Sequence, residues 1–98
     1  MNETMRSRPE GDNAIFTHLK EVARTELEMR PDQADRISLE TPIVEGFELD
    51  SLRQVVLLTN LEETYGFELS IEDRERLLEL RTVGDLVRFI RQRTASDG

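Results

Sequence analysis

The stretch FELDSL (Phe47–Leu52) marks the point where a long polar connection ends and the most apolar helix of the chain begins. Asp50 followed by Ser51 can place a carboxylate at a helix N-cap and a hydroxyl in the first helical turn. The free backbone N–H groups and the positive end of the helix dipole at this position favour a bound phosphate. Asp and Ser at a helix start are more often a plain capping pair, so the stretch by itself leaves both interpretations open.

Composition narrows the classes of function. The chain has 98 residues, which suits one small domain, and its 13 Lys and Arg against 21 Asp and Glu give a formal net charge of -8. We therefore expect it to bind no nucleic acid and to favour partners with basic surfaces.

The sequence has no Cys, which excludes disulfides, thiol catalysis and Cys-based zinc sites. Because the opening residues lack an apolar block and no aliphatic run approaches a membrane span, we expect a cytoplasmic location.

Downstream of this stretch, the pattern predicts a helix over Ser51–Tyr65 that ends at Gly66, a residue suited to the left-handed turn after a helix. With about 100° per residue, one side of the helix is predicted to be core: Leu57, Leu58, Leu61 and Tyr65, with Val55 at its edge. The opposite side carries an apolar pair with polar neighbours: Leu52, Val56, Thr59 and Glu63. We interpret this second side as a partner surface. The alternative is that the preceding connection covers Leu52 and Val56.

The first predicted helix begins with a cap at Asp12 or Asn13 and continues until the chain approaches Pro31. Its apolar positions recur at helical spacing: Ile15, Leu19, Val22 and Ala23. Residues 31–49 then form a long connection without sustained periodicity. Its apolar residues predict that it wraps over the core rather than extending into solvent.

Two further helices are predicted after the helix over Ser51–Tyr65, which is the second predicted helix in chain order. Residues 67–71 alternate between apolar and polar, but a lone strand would have no partner, so we predict an extended connector. Ser70 can cap a short third helix that ends near Leu78. The last helix starts at Thr82, with Asp85 as its capping partner, and has one apolar face: Val83, Leu86, Val87 and Ile90.

These elements predict an all-α fold, a small four-helix bundle of three main helices and a short third helix. The predicted domain covers residues 12–93, between a flexible N-terminal tail, residues 1–11, and a flexible C-terminal tail, residues 94–98.

The side chains needed for autonomous catalysis are missing from the sequence. His18, the single histidine, lies on the flank of the first helix and is expected at the edge of the core. Adjacent acids such as Glu62 and Glu63 point in different directions on a helix, so they form no acid–base pair. No acidic run has the spacing of a calcium loop, so we predict no metal site. Nothing offers Ser51 a base, which indicates a residue that another protein modifies.

Three segments, in this order and spacing, resemble the acyl carrier protein family, which includes the peptidyl and aryl carrier domains of modular synthetases. They are Asp50–Leu52, Leu61–Leu69 and Thr82–Ile90. The resemblance implies that Ser51, in the motif Asp50-Ser51-Leu52, carries 4'-phosphopantetheine added from coenzyme A by a phosphopantetheinyl transferase. Asp50 would support this transfer by helping to hold Mg²⁺, which is needed only during the transfer.

The resemblance also implies a carrier rather than an enzyme, because the thiol of the arm would hold an acyl group as a thioester. Its implied partners are the transferase, an acyl- or aminoacyl-loading ligase and acyl-processing enzymes, and we expect a monomer. The second helix would be the docking surface, with these residues: Leu52, Arg53, Val56, Thr59, Glu62 and Glu63.

The sequence departs from the family pattern in two places. Glu48 stands where family members commonly have glycine, and the second helix opens with Arg53 where fatty-acid carriers tend to be acidic. The second departure favours a carrier with its own partners in a specialised lipid or polyketide pathway. Two alternatives remain open: an aminoacyl or peptidyl carrier of a nonribosomal-type system, and an unmodified helical interaction module with the same fold.

Overall fold

The computed structural model describes the backbone of residues 11–97 and the side chains as far as Thr94. In this range the chain forms six helices: α1 (Asp12–Thr25), α2 (Pro31–Asp35), α3 (Ile43–Gly46), α4 (Ser51–Tyr65), α5 (Ile71–Glu79) and α6 (Val83–Asp97). The four predicted helices are α1, α4, α5 and α6, so the all-α bundle is confirmed. The predicted N-terminal tail lies outside the described residues, apart from Gly11.

One continuous cluster of buried side chains, to which all six helices contribute, forms the core. α1 packs on α6 and α2, and α3 packs on α6. The predicted apolar faces of α1, α4 and α6 are confirmed, because their principal residues are buried. These residues are Ile15, Leu19, Val22 and Ala23 on α1, then Leu57, Leu61 and Tyr65 on α4, and Val83, Leu86, Val87 and Ile90 on α6. Full burial of one large apolar side chain is worth about 1.5–3 kcal/mol, which makes this cluster the main source of stability.

The start of α1 differs from the prediction. Gly11 is the N-cap and makes no side-chain hydrogen bond, so the predicted cap at Asp12 or Asn13 is wrong. Asp12 is the first helical residue, where a negative charge suits the positive end of the helix dipole. Its Oδ1 lies 3.3 Å from Arg91 Nη1, an ion pair that joins α1 to α6.

The connection between α1 and α4 contains α2 and α3, two short helices that the sequence did not indicate. They span 5 and 4 residues, too few to show a helical period. The predicted wrapping over the core is confirmed by its buried residues: Ala34, Ile37, Ile43 and Phe47.

Backbone hydrogen bonds join this connection to the start of α6. The N–H of Ile43 donates to the Arg81 carbonyl (2.9 Å), and the N–H of Gly84 donates to the Leu39 carbonyl (2.8 Å). A Cβ at Gly84 would lie 3.1 Å from that carbonyl oxygen, so the close approach favours glycine there.

The predicted caps of α5 and α6 are confirmed. Ser70 Oγ accepts from the Asp73 N–H (3.0 Å), and Asp73 Oδ2 accepts from the Ser70 N–H (3.1 Å). Thr82 Oγ1 and Asp85 Oδ2 exchange the same two bonds, each at 3.2 Å. The connector before α5 is extended, with Phe67 buried, and no strand occurs within residues 11–97.

The backbone of α6 is helical as far as Asp97, beyond the predicted domain end at residue 93. No glycine or proline occurs between Gly84 and Gly98, so no local signal stops the helix at residue 93. None of the helices in residues 11–97 is long and apolar enough to cross a membrane.

Candidate functional site

The turn that leads into α4 is a helix C-cap in which Glu48 takes the position usually given to glycine. The N–H of Leu49 donates to the Val44 carbonyl (3.0 Å), and the N–H of Glu48 donates to the Glu45 carbonyl (3.3 Å). These are the two hydrogen bonds of a Schellman motif. Glu48 has φ 51°, in the left-handed region that costs a non-glycine residue about 1–2 kcal/mol. The first sequence departure therefore falls where the backbone favours glycine.

The residues on either side of Glu48 hold this turn in place. The side chain of Phe47 is fully buried, and its N–H donates to the Ile43 carbonyl (3.0 Å). Leu49 is half-buried and packs against the core cluster. Glu48 itself is exposed. The packing of Phe47 and Leu49 therefore holds Glu48 in a backbone conformation that is unfavourable for a non-glycine residue.

Asp50 is the N-cap of α4, as predicted. Its Oδ1 accepts from the Arg53 N–H (2.8 Å), and its backbone carbonyl accepts from the Gln54 N–H (2.9 Å). Its Oδ2 lies 3.3 Å from Arg53 Nη1. The Arg53 backbone hydrogen bond, reinforced by the charge of Arg53, holds the pKa of Asp50 below its ordinary value. The carboxylate is therefore ionised at neutral pH.

Ser51 is the first residue of α4 and is exposed. Its hydroxyl has no hydrogen-bond partner among the side chains and backbone that the structure describes. Leu52, the third residue of the motif, is 71% exposed. The structure thus brings together an ionised carboxylate, an accessible hydroxyl and an exposed apolar side chain at the start of one helix.

His18 lies at the edge of the core, as predicted, and not beside Ser51. Its Nδ1 lies 3.2 Å from the Tyr65 hydroxyl, with the two rings in an edge-to-face arrangement. Burial lowers the pKa of His18, against a smaller opposing effect of Glu21, and burial also raises the pKa of Tyr65. This neutral pair therefore contributes to packing between α1 and α4.

The residues predicted for docking differ in exposure. The exposed residues are Leu52, Thr59 and Glu63. The half-buried residues are Arg53, Val56 and Glu62. Val56 packs against the core cluster, whereas the long connection leaves Leu52 open to solvent. Val55, expected at the core edge, is 58% exposed. Helical periodicity fixes the angle between side chains, but it does not show how much of the helix surface the neighbouring elements cover. The exposure of Val55 therefore could not be predicted from the sequence.

Glu62 has a structural role that the sequence did not indicate. Its Oε2 accepts from the Leu69 N–H (2.8 Å) and lies 3.7 Å from Arg74 Nη2. The Glu62 carboxylate therefore links α4 both to the connector that follows it and to Arg74 of α5. Its hydrogen-bond donor lies seven residues away in an extended segment, outside the reach of any local capping pattern.

An apolar cleft lies between α4 and α5, with Gln54 and Arg74 as its polar residues. Its apolar lining is Ile43 and seven leucines: Leu49, Leu57, Leu58, Leu61, Leu77, Leu78 and Leu86. Gln54 is about one helical turn from Ser51, so the cleft starts near the candidate attachment residue. The space inside is about 30 Å³, roughly the share of one water molecule. In this conformation the side chains fill the cleft.

Asp50 fits the role of a single Mg²⁺ ligand. Mg²⁺ is commonly held by one or two carboxylates together with substrate phosphates. Among the described residues, no group of three or more acidic, His or Cys side chains could hold a metal ion. A Mg²⁺ ion on Asp50 would therefore need further ligands from a bound substrate or a second protein.

Comparison with known proteins identifies the family. The family described as "Phosphopantetheine attachment site" matches residues 17–90. The acyl carrier protein of Wolinella succinogenes is 38% identical over 77 residues, which cover 79% of this chain and 93% of that protein. That of Chlamydia trachomatis serovar D is 37% identical over 57 residues, 58% of this chain and 70% of that protein. That of Tropheryma whipplei strain Twist is 41% identical over 54 residues, 55% of this chain and 62% of that protein.

The family match covers α2, α3, α4 and α5 completely and parts of α1 and α6, and so includes the start of α4. Acyl carrier proteins carry groups for partner enzymes and are not enzymes themselves, so membership confirms the prediction of a non-enzymatic carrier. The sequence motifs, the helical bundle and the comparisons together show that this chain belongs to the acyl carrier protein family, whose domain bears a phosphopantetheine attachment site.

Proposed function

We propose that Ser51 is the attachment residue and that the chain carries an acyl group as a thioester on a 4'-phosphopantetheine arm. The observation that carries this proposal is the accessible Ser51 hydroxyl in the first turn of α4, which has no partner among the described residues and lies within a matched phosphopantetheine-attachment domain. In the transfer, the Ser51 oxygen attacks the phosphorus of coenzyme A that bears the pantetheine. A phosphodiester forms, adenosine 3',5'-bisphosphate leaves, and the hydroxyl proton passes to a base of the transferase.

The thiol needed for a thioester comes with the arm, which fits a chain without cysteine. Asp50 precedes Ser51 directly in the sequence, and its carboxylate would hold Mg²⁺ together with groups of the coenzyme A and the transferase. The N-terminal dipole of α4 favours the negative charge of the phosphodiester once it has formed. These features support a binding and orienting role for this chain, with proton transfer carried out by the transferase.

The modification test is an intact-mass measurement. The purified chain is incubated with coenzyme A, Mg²⁺ and a broad-specificity phosphopantetheinyl transferase, and we expect the mass to rise by one phosphopantetheinyl group. Ser51→Ala should abolish the gain. Ser70→Ala is the matched control, because Ser70 also lies exposed at the start of a helix, and it should still be modified. An unchanged wild-type mass with several transferases would favour the unmodified interaction module.

The cargo proposed is an acyl chain of a specialised lipid or polyketide pathway, in a cytoplasmic setting. The leucine-lined cleft beside Gln54 offers apolar surface to an aliphatic chain if α4 and α5 part. Loading by an acyl-activating ligase supports this proposal. Loading by an amino-acid-adenylating enzyme, together with failure to accept fatty acids, would assign the chain to the aminoacyl carriers instead.

We also propose α4 as the docking surface, centred on Leu52 and its exposed neighbours Val55, Thr59 and Glu63. An exposed leucine and valine next to acidic and polar groups suit a partner that buries a small apolar contact within a polar rim. Leu52→Glu should slow transfer by a partner enzyme while leaving the melting temperature unchanged. Ile71→Glu on α5 is the control, since Ile71 is 77% exposed and Leu52 is 71% exposed. Equal slowing by both variants would remove α4 as the preferred surface.

A further inference from the structure

Arg53 engages both oxygens of the Asp50 carboxylate. Its backbone N–H donates to Oδ1 (2.8 Å), and its guanidinium Nη1 lies 3.3 Å from Oδ2. The first contact is an ordinary cap that any residue at this position would supply. The second depends on the Arg53 side chain. The oxygen that the cap leaves available is therefore paired with a cation.

The Arg53 side chain is held against the protein rather than extended into solvent. The side chain is 36% exposed, and its Nε is enclosed without a hydrogen-bond partner among the described residues. An enclosed donor with no partner is unfavourable. The contact with Asp50 is made by Nη1 and leaves Nε without a partner among the described residues.

The charge of Arg53 is also isolated along the chain. Between Arg36 and Arg74 it is the only basic residue, in a segment with nine Asp and Glu. That single cation lies two residues from Ser51 and 3.3 Å from the Asp50 carboxylate, the proposed Mg²⁺ ligand. A divalent cation approaching Asp50 must displace the guanidinium or share the carboxylate with it.

We propose that Arg53 is a positioning residue for the modification of Ser51, which occupies the Asp50 carboxylate in the unmodified protein and so raises the Mg²⁺ concentration that transfer requires. This inference rests on the proposed function. Removing the side-chain charge leaves the backbone cap intact and frees Oδ2. The contact is a weak, exposed ion pair, so the half-saturating Mg²⁺ concentration should fall by about two- to fivefold.

The test measures the rate of phosphopantetheine transfer by intact mass over a range of free Mg²⁺ concentrations. Arg53→Gln should lower the half-saturating Mg²⁺ concentration, a change that a general loss of structure would not produce. Arg53→Lys keeps the charge and should keep the wild-type Mg²⁺ dependence. Arg88→Gln is the matched control, because Arg88 pairs with Asp85 at the same spacing near the start of α6, and it should change nothing.

A second readout needs no transferase. The ¹³C chemical shift of the Asp50 carboxylate, followed during Mg²⁺ titration of the unmodified protein, should respond at lower Mg²⁺ in Arg53→Gln than in the wild type. An unshifted Mg²⁺ dependence in Arg53→Gln, or an equal shift in Arg88→Gln, would overturn the inference while modification of the wild type still supports the proposed function. A wild type that is never modified would overturn the proposed function itself.

Discussion

Replacing Glu48 by glycine is expected to stabilise the fold. At φ 51°, the Cβ of Glu48 is crowded by the backbone. The left-handed conformation costs a non-glycine residue about 1–2 kcal/mol, and glycine loses about 0.5–1 kcal/mol more backbone entropy on folding. The net gain is about 0.5–1 kcal/mol, which raises the melting temperature of a domain of this size by roughly 2–8 °C.

A pair of substitutions separates this backbone effect from the effect of charge. Glu48→Ala and Glu48→Gly remove the same negative charge and differ only in the Cβ, so Glu48→Gly should be the more stable of the two. Glu45 provides the matched control, since it is exposed and lies in α3 without a positive φ. There the order should reverse, because alanine is favoured over glycine in a helix by up to about 1 kcal/mol.

The assay is urea unfolding followed by far-UV circular dichroism, with melting temperatures from calorimetry as a second measure. The reasoning depends on the opposite sign of the alanine-to-glycine change at the two positions. If glycine is less stable than alanine at position 48 by as much as at position 45, then Glu48 is not strained and the account of this turn is wrong.

Three further predictions concern the core, the pH dependence and a helix cap. Leu61→Ala should destabilise the fold by about 2–5 kcal/mol in urea unfolding, because Leu61 is fully buried and the neighbouring helices can only partly fill the cavity. Because burial lowers the pKa of His18 below 6.5, its contribution to stability is present above pH 6.5 and is lost as the pH falls and His18 must be protonated. His18→Gln keeps a polar group near the Tyr65 hydroxyl and should flatten the dependence of melting temperature on pH below 6.5, measured against wild type in the same buffers. Ser70→Ala removes the acceptor for the Asp73 N–H and should cost about 1 kcal/mol in the same urea assay, with no loss of modification at Ser51.

Local signals in the sequence were sufficient for the four main helices. The bounds of α4 followed from Asp50 before it and Gly66 after it, and those of α5 from Ser70. Each of these residues caps a helix through a backbone group within a few positions in the chain, so the interaction is written into a short stretch of sequence. The apolar faces followed in the same way from the helical period.

The sequence also indicated the chemistry of the candidate site. Asp50 and Ser51 are adjacent in the sequence. The absence of cysteine, and of a base for Ser51, indicated that the reactive group is added by another protein. These are properties of residue identity and order, so they did not depend on knowing how the helices pack.

Only the tertiary structure decided the features that depend on distant parts of the chain. The short helices α2 and α3 are held by the core and by the start of α6, and α3 in turn places Glu48 in the left-handed region. The hydrogen bond from the Leu69 N–H to Glu62 and the exposure of Val55 depend on how the helices and connector are arranged around α4. Packing against residues far away in sequence sets these features, and no local pattern encodes which neighbours a side chain will have.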